Sequence, residues 1–219
     1  MSARKFFQST VGKKVVMAVT GIILVAFVIG HMAGNLLVFA GRAQINAYSR
    51  VLHASDELLW GIRSVLIASV VLHIWSAVAL TAVARAARPN DYARKVTQTA
   101  TLASRTMRIG GLLLLAFIVF HLAHLTVGAI RPQGTFDDHD VYANVISSFR
   151  IPWVTAVYLV AMVGLGLHLF HGAWAAFRTL GISPPSAHPR KRPVAMVIAI
   201  VVWAGFTSIP LAIIARIVN

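Results

Sequence analysis

Five stretches without Asp, Glu, Lys or Arg dominate this chain of 219 residues. Each has about the 20 residues that a helix needs to cross roughly 30 Å of hydrocarbon. Because backbone groups in lipid must hydrogen-bond within their own segment, we expect such stretches to be helical. The sequence therefore predicts an all-α membrane protein with a single domain over residues 1–219. Its five transmembrane helices, spans I to V, are predicted at residues 15–40, 60–87, 107–130, 152–178 and 193–217.

The basic residues predict how the spans are oriented. The chain has 20 Lys and Arg against six Asp and Glu, a formal net charge of +14. Fourteen of the 20 cations fall in segments on the same side as the N-terminus, and membrane proteins concentrate Lys and Arg in cytoplasmic loops. We therefore expect the N-terminus inside and the C-terminus outside. The positive charge is mainly an orientation signal, so nucleic acid is not an expected partner.

Spans I to IV each carry a histidine, and an ionisable side chain inside an apolar span indicates a functional site. His31 and His121 each lie nine residues before the outer end of a span that runs outward, so they share one depth. His73 and His168 lie eleven and nine residues before the inner ends of spans that run inward. The spacing predicts two level pairs, the outer pair (His31 and His121) and the inner pair (His73 and His168).

Two histidines that face each other at one depth can bind one haem iron from both sides, an arrangement suited to electron transfer. Taken singly, each histidine could instead be a hydrogen-bonded packing residue between helices. The chain has no Cys, which excludes thioether haem attachment and cysteine-ligated iron–sulfur clusters on it. We therefore expect two b haems stacked inside a bundle of spans I to IV, with span V peripheral.

Further residues are candidates for contacts with the haems. His124 and His171 each follow a predicted ligand by three residues, about 4.5 Å along the helix, so we assign them to positions beside the haem or its propionates. Propionates need cationic or hydroxyl partners. Basic residues near the inner ends are candidates, although each can equally be explained as a lipid-headgroup contact: Lys13, Lys14, Arg105, Arg108 and Arg178.

Motifs along nearly the whole chain resemble one family, the diheme cytochrome b membrane anchor of succinate:quinone oxidoreductases. Its first helix is similar to "STVGKKVVMAVTG" followed by "GHMAGNLLVF", and its first outer loop to "INAYSRVLH". The second helix and following loop resemble "LLWGIRSVLIASVVLHIWSAVALT" with "ARPNDY". The third resembles "SRTMRIGG" with "FIVFHLAH", and the fourth "GLGLHLFHGAW". The resemblance implies the same two haem-ligand pairs.

The resemblance also implies partners and a role. Relatives bind an iron–sulfur subunit and an FAD-containing flavoprotein on the cytoplasmic face of a prokaryotic cytoplasmic membrane. The chain would then be the electron-transfer subunit of a succinate dehydrogenase or fumarate reductase, not itself the site of succinate chemistry. Relatives often use menaquinone, and the whole complex can form a higher oligomer.

A quinone site is expected at the outer end, since an electron path across the membrane needs an acceptor there. Quinone reduction consumes protons, so a titratable group should lie nearby. The segment between spans I and II supplies candidates, which can equally be solvated loop residues: Tyr48, His53, Asp56 and Glu57. A competing inner site would use Ser9 and Lys13.

Two other functions remain open from the sequence. The cytochrome b subunit of a hydrogenase or formate dehydrogenase would share bis-histidine haems and differ in its soluble partner. A transporter with a histidine relay would bind no haem, and we would expect intramembrane acids or broken helices, neither of which the spans contain.

Overall fold

The computed structural model describes residues 2–87, 101–182 and 193–219, and this part of the chain is helical without a β-strand. Eight α-helices are present in it. Their bounds are α1 Ala3–Gln8, α2 Thr10–Asn35, α3 Arg42–Leu52, α4 Asp56–Ala86, α5 Leu102–His121, α6 Val141–Phe149, α7 Pro152–Thr179 and α8 Pro193–Ile214.

Five of these helices are long and apolar enough to cross a membrane, namely α2, α4, α5, α7 and α8, which correspond to spans I to V. Two of them continue in a different helical form. A 3₁₀ segment, Leu36–Ala40, extends α2, and a π-helical turn, Leu122–Thr126, extends α5. The prediction of an all-α, multi-pass membrane protein is confirmed.

The ends of the spans differ from the predicted bounds where local residues stop or start a helix. Span I begins five residues earlier than predicted, because Ser9 caps α2 by accepting a hydrogen bond from the backbone of Gly12 at 2.9 Å. Span II begins at Asp56 behind the capping hydroxyl of Ser55. Span III ends at Thr126 instead of 130, since Gly128 has a positive φ of 65° that ends the helical path.

The segments outside the spans contain three helices that the sequence did not predict: the short α1 at the N-terminus, and α3 and α6. We expected a loop between spans I and II, but residues Arg42–Leu52 form α3. Likewise Val141–Phe149 form α6 before span IV, with Asp140 capping its first turn by accepting from the backbone of Ala143. Helices α3 and α6 are both short and amphipathic, and they pack against each other at one end of the bundle.

The long helices form an incomplete ring. Helix α2 packs against α4 on one side and α7 on the other, and α5 packs against α7. In the described part of the chain α4 and α5 make no extended contact with each other, so the ring is open between them. Helix α8 lies outside, against α7 and α2, as predicted for span V. Its close approach is visible at Gly205, where a side chain would collide with Met32.

The connections 88–100 and 183–192 lie outside the described residues. They contain the "ARPNDY" motif and six of the cations on which the orientation prediction depends: Arg88, Arg94, Lys95, Arg190, Lys191 and Arg192. The topology with the N-terminus inside therefore stays a prediction. The names outer pair and inner pair refer to this predicted topology.

Candidate functional site

The outer pair comes together between two helices that do not pack extensively against each other. His31 lies near the end of α2, and His121 is the last residue of α5. Their ring centres are 5.8 Å apart and their planes meet at 79°. The two imidazoles thus face each other across a gap in the bundle.

The inner pair repeats this arrangement with the other two helices. His73 on α4 and His168 on α7 have ring centres 6.2 Å apart, with their planes inclined at 58°. Neither α2 nor α5 contributes a histidine here. Each of the four central helices therefore supplies one histidine to one pair.

The two pairs lie at different depths. On α2, His31 belongs to the outer pair, while Thr20 contacts His73 of the inner pair at 3.2 Å. Eleven residues separate them, or roughly 16 Å at 1.5 Å per residue. On α7, Tyr158 contacts His121 and lies ten residues before His168, or roughly 15 Å. Measured along either helix, the outer and inner pairs are therefore about 15 Å apart along the bundle.

The spacing inside each pair fits a metal between the rings. A metal–imidazole bond is about 2.0–2.1 Å, so two imidazoles on one metal put their ring centres roughly 6 Å apart. No group of three or more His, Asp or Glu residues that could hold a bare ion occurs in the described residues. A structural zinc ion needs four ligands, whereas an iron in a porphyrin needs only the two axial ones.

Open space lies beside His168 of the inner pair. A groove of about 240 Å³ between α5 and α7 is lined by mostly apolar residues, with Thr106 and His168 as its polar members. The ring spacing within each pair fits a haem held by two histidines, and the groove gives space beside His168 of the inner pair.

A chain of hydrogen bonds supports His121. Its Nδ1 lies 3.3 Å from the hydroxyl oxygen of Tyr158, and Nδ1 of His124 lies 3.0 Å from the same oxygen. On its other side, Nε2 of His124 lies 3.2 Å from Oε1 of Gln133 and 3.0 Å from Oγ of Ser148. These hydrogen bonds thus connect the outer pair to the segment between α5 and α6.

His73 has a shorter support. The hydroxyl of Thr20 donates to the backbone carbonyl of Val16 at 2.7 Å, so its oxygen is left to accept from Nδ1 of His73. With the hydroxyl proton of Thr20 directed to Val16, His73 would carry its proton on Nδ1 and a lone pair on Nε2. Histidines that bind metals commonly show such a bond on the nitrogen opposite the metal.

The remaining members of the pairs have less polar support. The ring of His31 stacks on Phe27 at 5.4 Å and contacts Phe206 at 5.8 Å. The amide nitrogen of Asn35 is 3.4 Å from both ring nitrogens and donates at 2.8 Å to the carbonyl of His31. In His168, Nδ1 is buried without a hydrogen-bond partner in the described structure.

In two spans the sequence has a second histidine three residues after the predicted ligand, and the fold shows which of the two faces the partner histidine. His121, and not His124, lies opposite His31, while His124 is fully buried with both nitrogens in hydrogen bonds. At the other level His168 lies opposite His73, and His171 follows one turn later on α7. The structure thus places His124 behind a facing histidine, in contact with its support.

The predicted propionate partners lie at the inner ends of three helices. Lys13 and Lys14 are in the first turns of α2, Arg105 and Arg108 are in the first two turns of α5, and Arg178 is in the last turn of α7. Lys13 is half-buried and the others are exposed. The guanidinium of Arg178 also lies 6.0 Å from the ring of Trp174.

The predicted quinone residues do not form one compact cluster of polar contacts. The ring of Tyr48 fills the space that a side chain at Gly34 would occupy, three residues beyond His31. Nδ1 of His53 donates to the carbonyl of Ser49 at 2.8 Å. Asp56 and Glu57 are exposed in the first turn of α4, where Glu57 accepts from Ser55 at 2.9 Å.

Sequence reasoning missed the residues that support the facing histidines, chiefly Thr20 and Tyr158. Both carry a hydroxyl inside a span, which is a signal that could have found them, because buried hydroxyls generally have a partner. Gln133 and Ser148 could not be found in this way. They lie outside the spans, and only the fold brings them to His124.

Comparisons of the chain with known protein families, characterised proteins and solved structures find no match. The family resemblance therefore gains no support from a relative. The case for a function depends on the geometry of the two histidine pairs and on the helices that carry them.

Proposed function

We propose that this chain is the haem b-containing membrane anchor of a succinate:quinone oxidoreductase. In this role it carries electrons from an iron–sulfur subunit through two haems to a membrane quinone. The observation that carries the proposal is the pair of facing histidines at each of two depths, 5.8 and 6.2 Å between ring centres. Four helices each give one histidine, and no histidine of the pairs is shared.

The geometry of the four histidines supports a role as haem ligands. His31 with His121, and His73 with His168, would each hold the iron of one haem, which would supply reversible one-electron transfer. The helices fix the ligands from opposite sides, so the binding of a haem also bridges α2 to α5 or α4 to α7. Those helix pairs have little direct contact of their own.

The position of the pairs supports transfer across the membrane. Their separation of roughly 15 Å is about half of the roughly 30 Å hydrocarbon thickness. One haem would then lie towards each surface. A donor on one side and an acceptor on the other are the partners that such an arrangement serves.

The partners in this proposal come from the family resemblance and are consistent with the chain's chemistry. A chain without Cys cannot carry a cysteine-ligated iron–sulfur cluster, so the donor cluster belongs to another subunit. That subunit, with an FAD-containing flavoprotein, would dock on the basic cytoplasmic face. Haem propionates of the inner haem would find cations among the five inner residues Lys13, Lys14, Arg105, Arg108 and Arg178.

The quinone, menaquinone in many relatives, would bind beside the outer pair. Tyr48 supports this placement, because its ring packs against Gly34 within one turn of His31. Asp56 and Glu57 lie at the same end of the bundle, at the start of α4, and would supply protons to the reduced quinone. His53 would then lie at the mouth of the site.

Co-purification tests the choice of complex. The tagged chain, extracted in mild detergent from its own membrane, should bring down a flavoprotein and an iron–sulfur protein, and succinate should reduce its haems. Hydrogenase or formate dehydrogenase subunits in their place would assign the chain to the other cytochrome b class. A chain that carries no haem and moves protons in vesicles would favour the histidine-relay transporter and contradict the proposal.

Substitution of the two acids tests the outer quinone site. Glu57→Gln and Asp56→Asn should each slow quinone reduction by about 10²–10⁴-fold if that residue is the proton donor. Reduction of a soluble dye by succinate should stay normal in both variants and serves as the control. Normal quinone reduction in both variants, with unchanged haem content, would remove the outer site from the account.

A further inference from the structure

The hydrogen-bond chain behind the outer pair has a direction. Oε1 of Gln133 lies 3.2 Å from Nε2 of His124, and the amide nitrogen of Gln133 is buried without a hydrogen-bond partner in the described residues. The direction of the hydrogen bonds holds for this orientation of the amide, in which its oxygen accepts. In this orientation Nε2 of His124 carries the proton and donates to Oε1 of Gln133, with Oγ of Ser148 at 3.0 Å as a second acceptor. With the proton on Nε2, Nδ1 of His124 is the acceptor.

The order of donors and acceptors continues through the hydroxyl of Tyr158 to His121. The tyrosine has one proton, and the acceptor on Nδ1 of His124 takes it at 3.0 Å. The oxygen of Tyr158 is then left to accept from Nδ1 of His121 at 3.3 Å. In this arrangement His121 carries its proton on Nδ1 and keeps a lone pair on Nε2.

The backbone is built to hold this chain in place. His124 lies in the π-helical turn Leu122–Thr126, which is closed by the bond from the amide of Val127 to the carbonyl of Leu122 at 2.8 Å. Such turns are rare and often mark functional sites. The turn places two histidines three residues apart on the same hydroxyl. Around them, Phe117, Phe120 and Phe149 pack on the ring of Tyr158.

We infer that Tyr158 and His124 are positioning residues for His121, which they hold as the Nδ1–H tautomer with Nε2 directed towards the centre of the outer pair. The inference rests on the proposed function in one respect, because it makes Nε2 of His121 the nitrogen that binds iron. Hydrogen bonds of this kind raise the basicity of a ligand, and their loss typically costs 10–100-fold in affinity.

The first test needs no haem. Nitrogen-15 spectra of the haem-free chain, with His121 assigned by comparison with His121→Gln, should show a proton on Nδ1 and none on Nε2. In Tyr158→Phe, which removes only the hydroxyl, this preference should be lost. A wild-type His121 protonated on Nε2 would overturn the inference, whatever the chain binds.

The second test uses the chain with its haems and a matched pair of variants. Tyr158→Phe should weaken retention of the outer haem by about 10–100-fold and raise its potential, leaving the inner haem unchanged. Thr20→Val removes the corresponding hydroxyl at the inner pair. It should weaken retention of the inner haem and raise its potential, leaving the outer haem unchanged. Unchanged affinity and potential of the outer haem in Tyr158→Phe would contradict the inference.

A double variant distinguishes positioning from packing. In His124→Leu the proton of Tyr158 loses its acceptor and turns towards Nδ1 of His121, which favours the wrong tautomer. His124→Leu should therefore lose more outer haem than Tyr158→Phe, and the double variant should return to the level of Tyr158→Phe. Losses that add up in the double variant would show a packing role. Absence of haem from the wild-type chain would instead refute the proposed function and leave the nitrogen-15 result to judge the tautomer.

Discussion

The outer and inner pairs have nearly the same spacing but are supported in different ways. His121 of the outer pair is held by side chains from α7, the π-helical turn and α6, and the chain of contacts ends at Gln133 outside the spans. His73 of the inner pair is held by the hydroxyl of Thr20, whose own bond returns to the backbone of α2. The outer pair is thus coupled to the segments beyond the membrane, whereas the support of His73 comes from α2 alone.

The residues that pack on the histidine rings also differ between the outer and inner pairs. Phe27 and Phe117 stack on the two outer histidines at 5.4 and 5.8 Å. At the inner pair, Gly21 and Gly111 face the rings, with added side-chain carbons 3.4 and 4.0 Å away from His73 and His168. The outer pair is therefore fixed by ring packing, while space for the inner pair depends on residues without a side chain.

The largest expected effect is on accessibility, since it is all or none. The chain has no Cys, so single cysteines can be placed at His139, which is exposed beyond the outer pair, and at Thr179, which ends α7. In intact cells a membrane-impermeant thiol reagent should label His139→Cys and not Thr179→Cys. The reverse pattern would exchange the outer and inner levels.

Removal of a ligand should eliminate one haem and spare the other. His31→Ala should lower the haem content from two per chain to one and remove the outer signal, because an iron with one axial ligand is held weakly. His168→Ala should remove the inner signal instead. Quantification of pyridine haemochrome and low-temperature spectra measure both changes. Retention of both haems in either variant would break the assignment of the pairs.

A bulky residue at Gly21 should disturb the inner pair selectively. A methyl group there would be in ordinary contact with His73, at 3.4 Å, whereas the larger side chain of Gly21→Leu would displace the imidazole. We expect partial loss of the inner haem and a normal outer one. Gly61→Leu is the matched control, because a side chain at Gly61 meets nothing within 4 Å. Equal effects of the two variants would show that space at His73 does not matter.

The smallest expected effect concerns the contact between α3 and α6. Asp140 accepts hydrogen bonds from the guanidinium of Arg42 and from Asn46, and the bond from Arg42 is the main reason that the pKa of Asp140 falls to about 2. An unperturbed Asp has a pKa of about 3.9. The contact therefore contributes stability above about pH 4 and loses it as the pH falls towards 2.

Thermal unfolding of Asp140→Asn measures this contribution. The variant keeps a capping side chain on α6, so it should unfold only about 2–4 °C below the wild type at pH 6, and the difference should shrink at pH 3. Asp138→Asn, at an exposed neighbour, is the control. Haem content at the inner pair should be unaffected. A difference that grows in acid would contradict the sign of the pKa shift.

The long helices were predictable because their signal is strong and local. Runs of more than 20 residues without charge permit only a membrane-spanning helix. Helices α3 and α6 were missed because segments of 11 and 9 residues with mixed polarity look like loops, and their order depends on packing against each other. The end of α5 depends on the π-helical turn and Gly128, which residue spacing does not reveal.

The facing histidines were predicted from depth alone, and the structure brings the same four residues together in the same pairs. Depth could not decide between His121 and His124, which lie on nearly the same helix face. The structure distinguishes the two, since the rotation of the helix directs the ring of His121 to His31 and that of His124 to Gln133. Contacts such as Tyr158 with His121 join residues 37 apart, and their recognition requires the fold.

The most direct test of the account is the number of haems bound by the wild-type chain. The purified protein should contain two b haems per chain, with two resolved components in the reduced-minus-oxidised spectrum and in a redox titration. One haem per chain would mean that only one of the pairs is a binding site. A chain without haem, purified under conditions that preserve its helical fold, would contradict the central claim that the facing histidines are axial ligands.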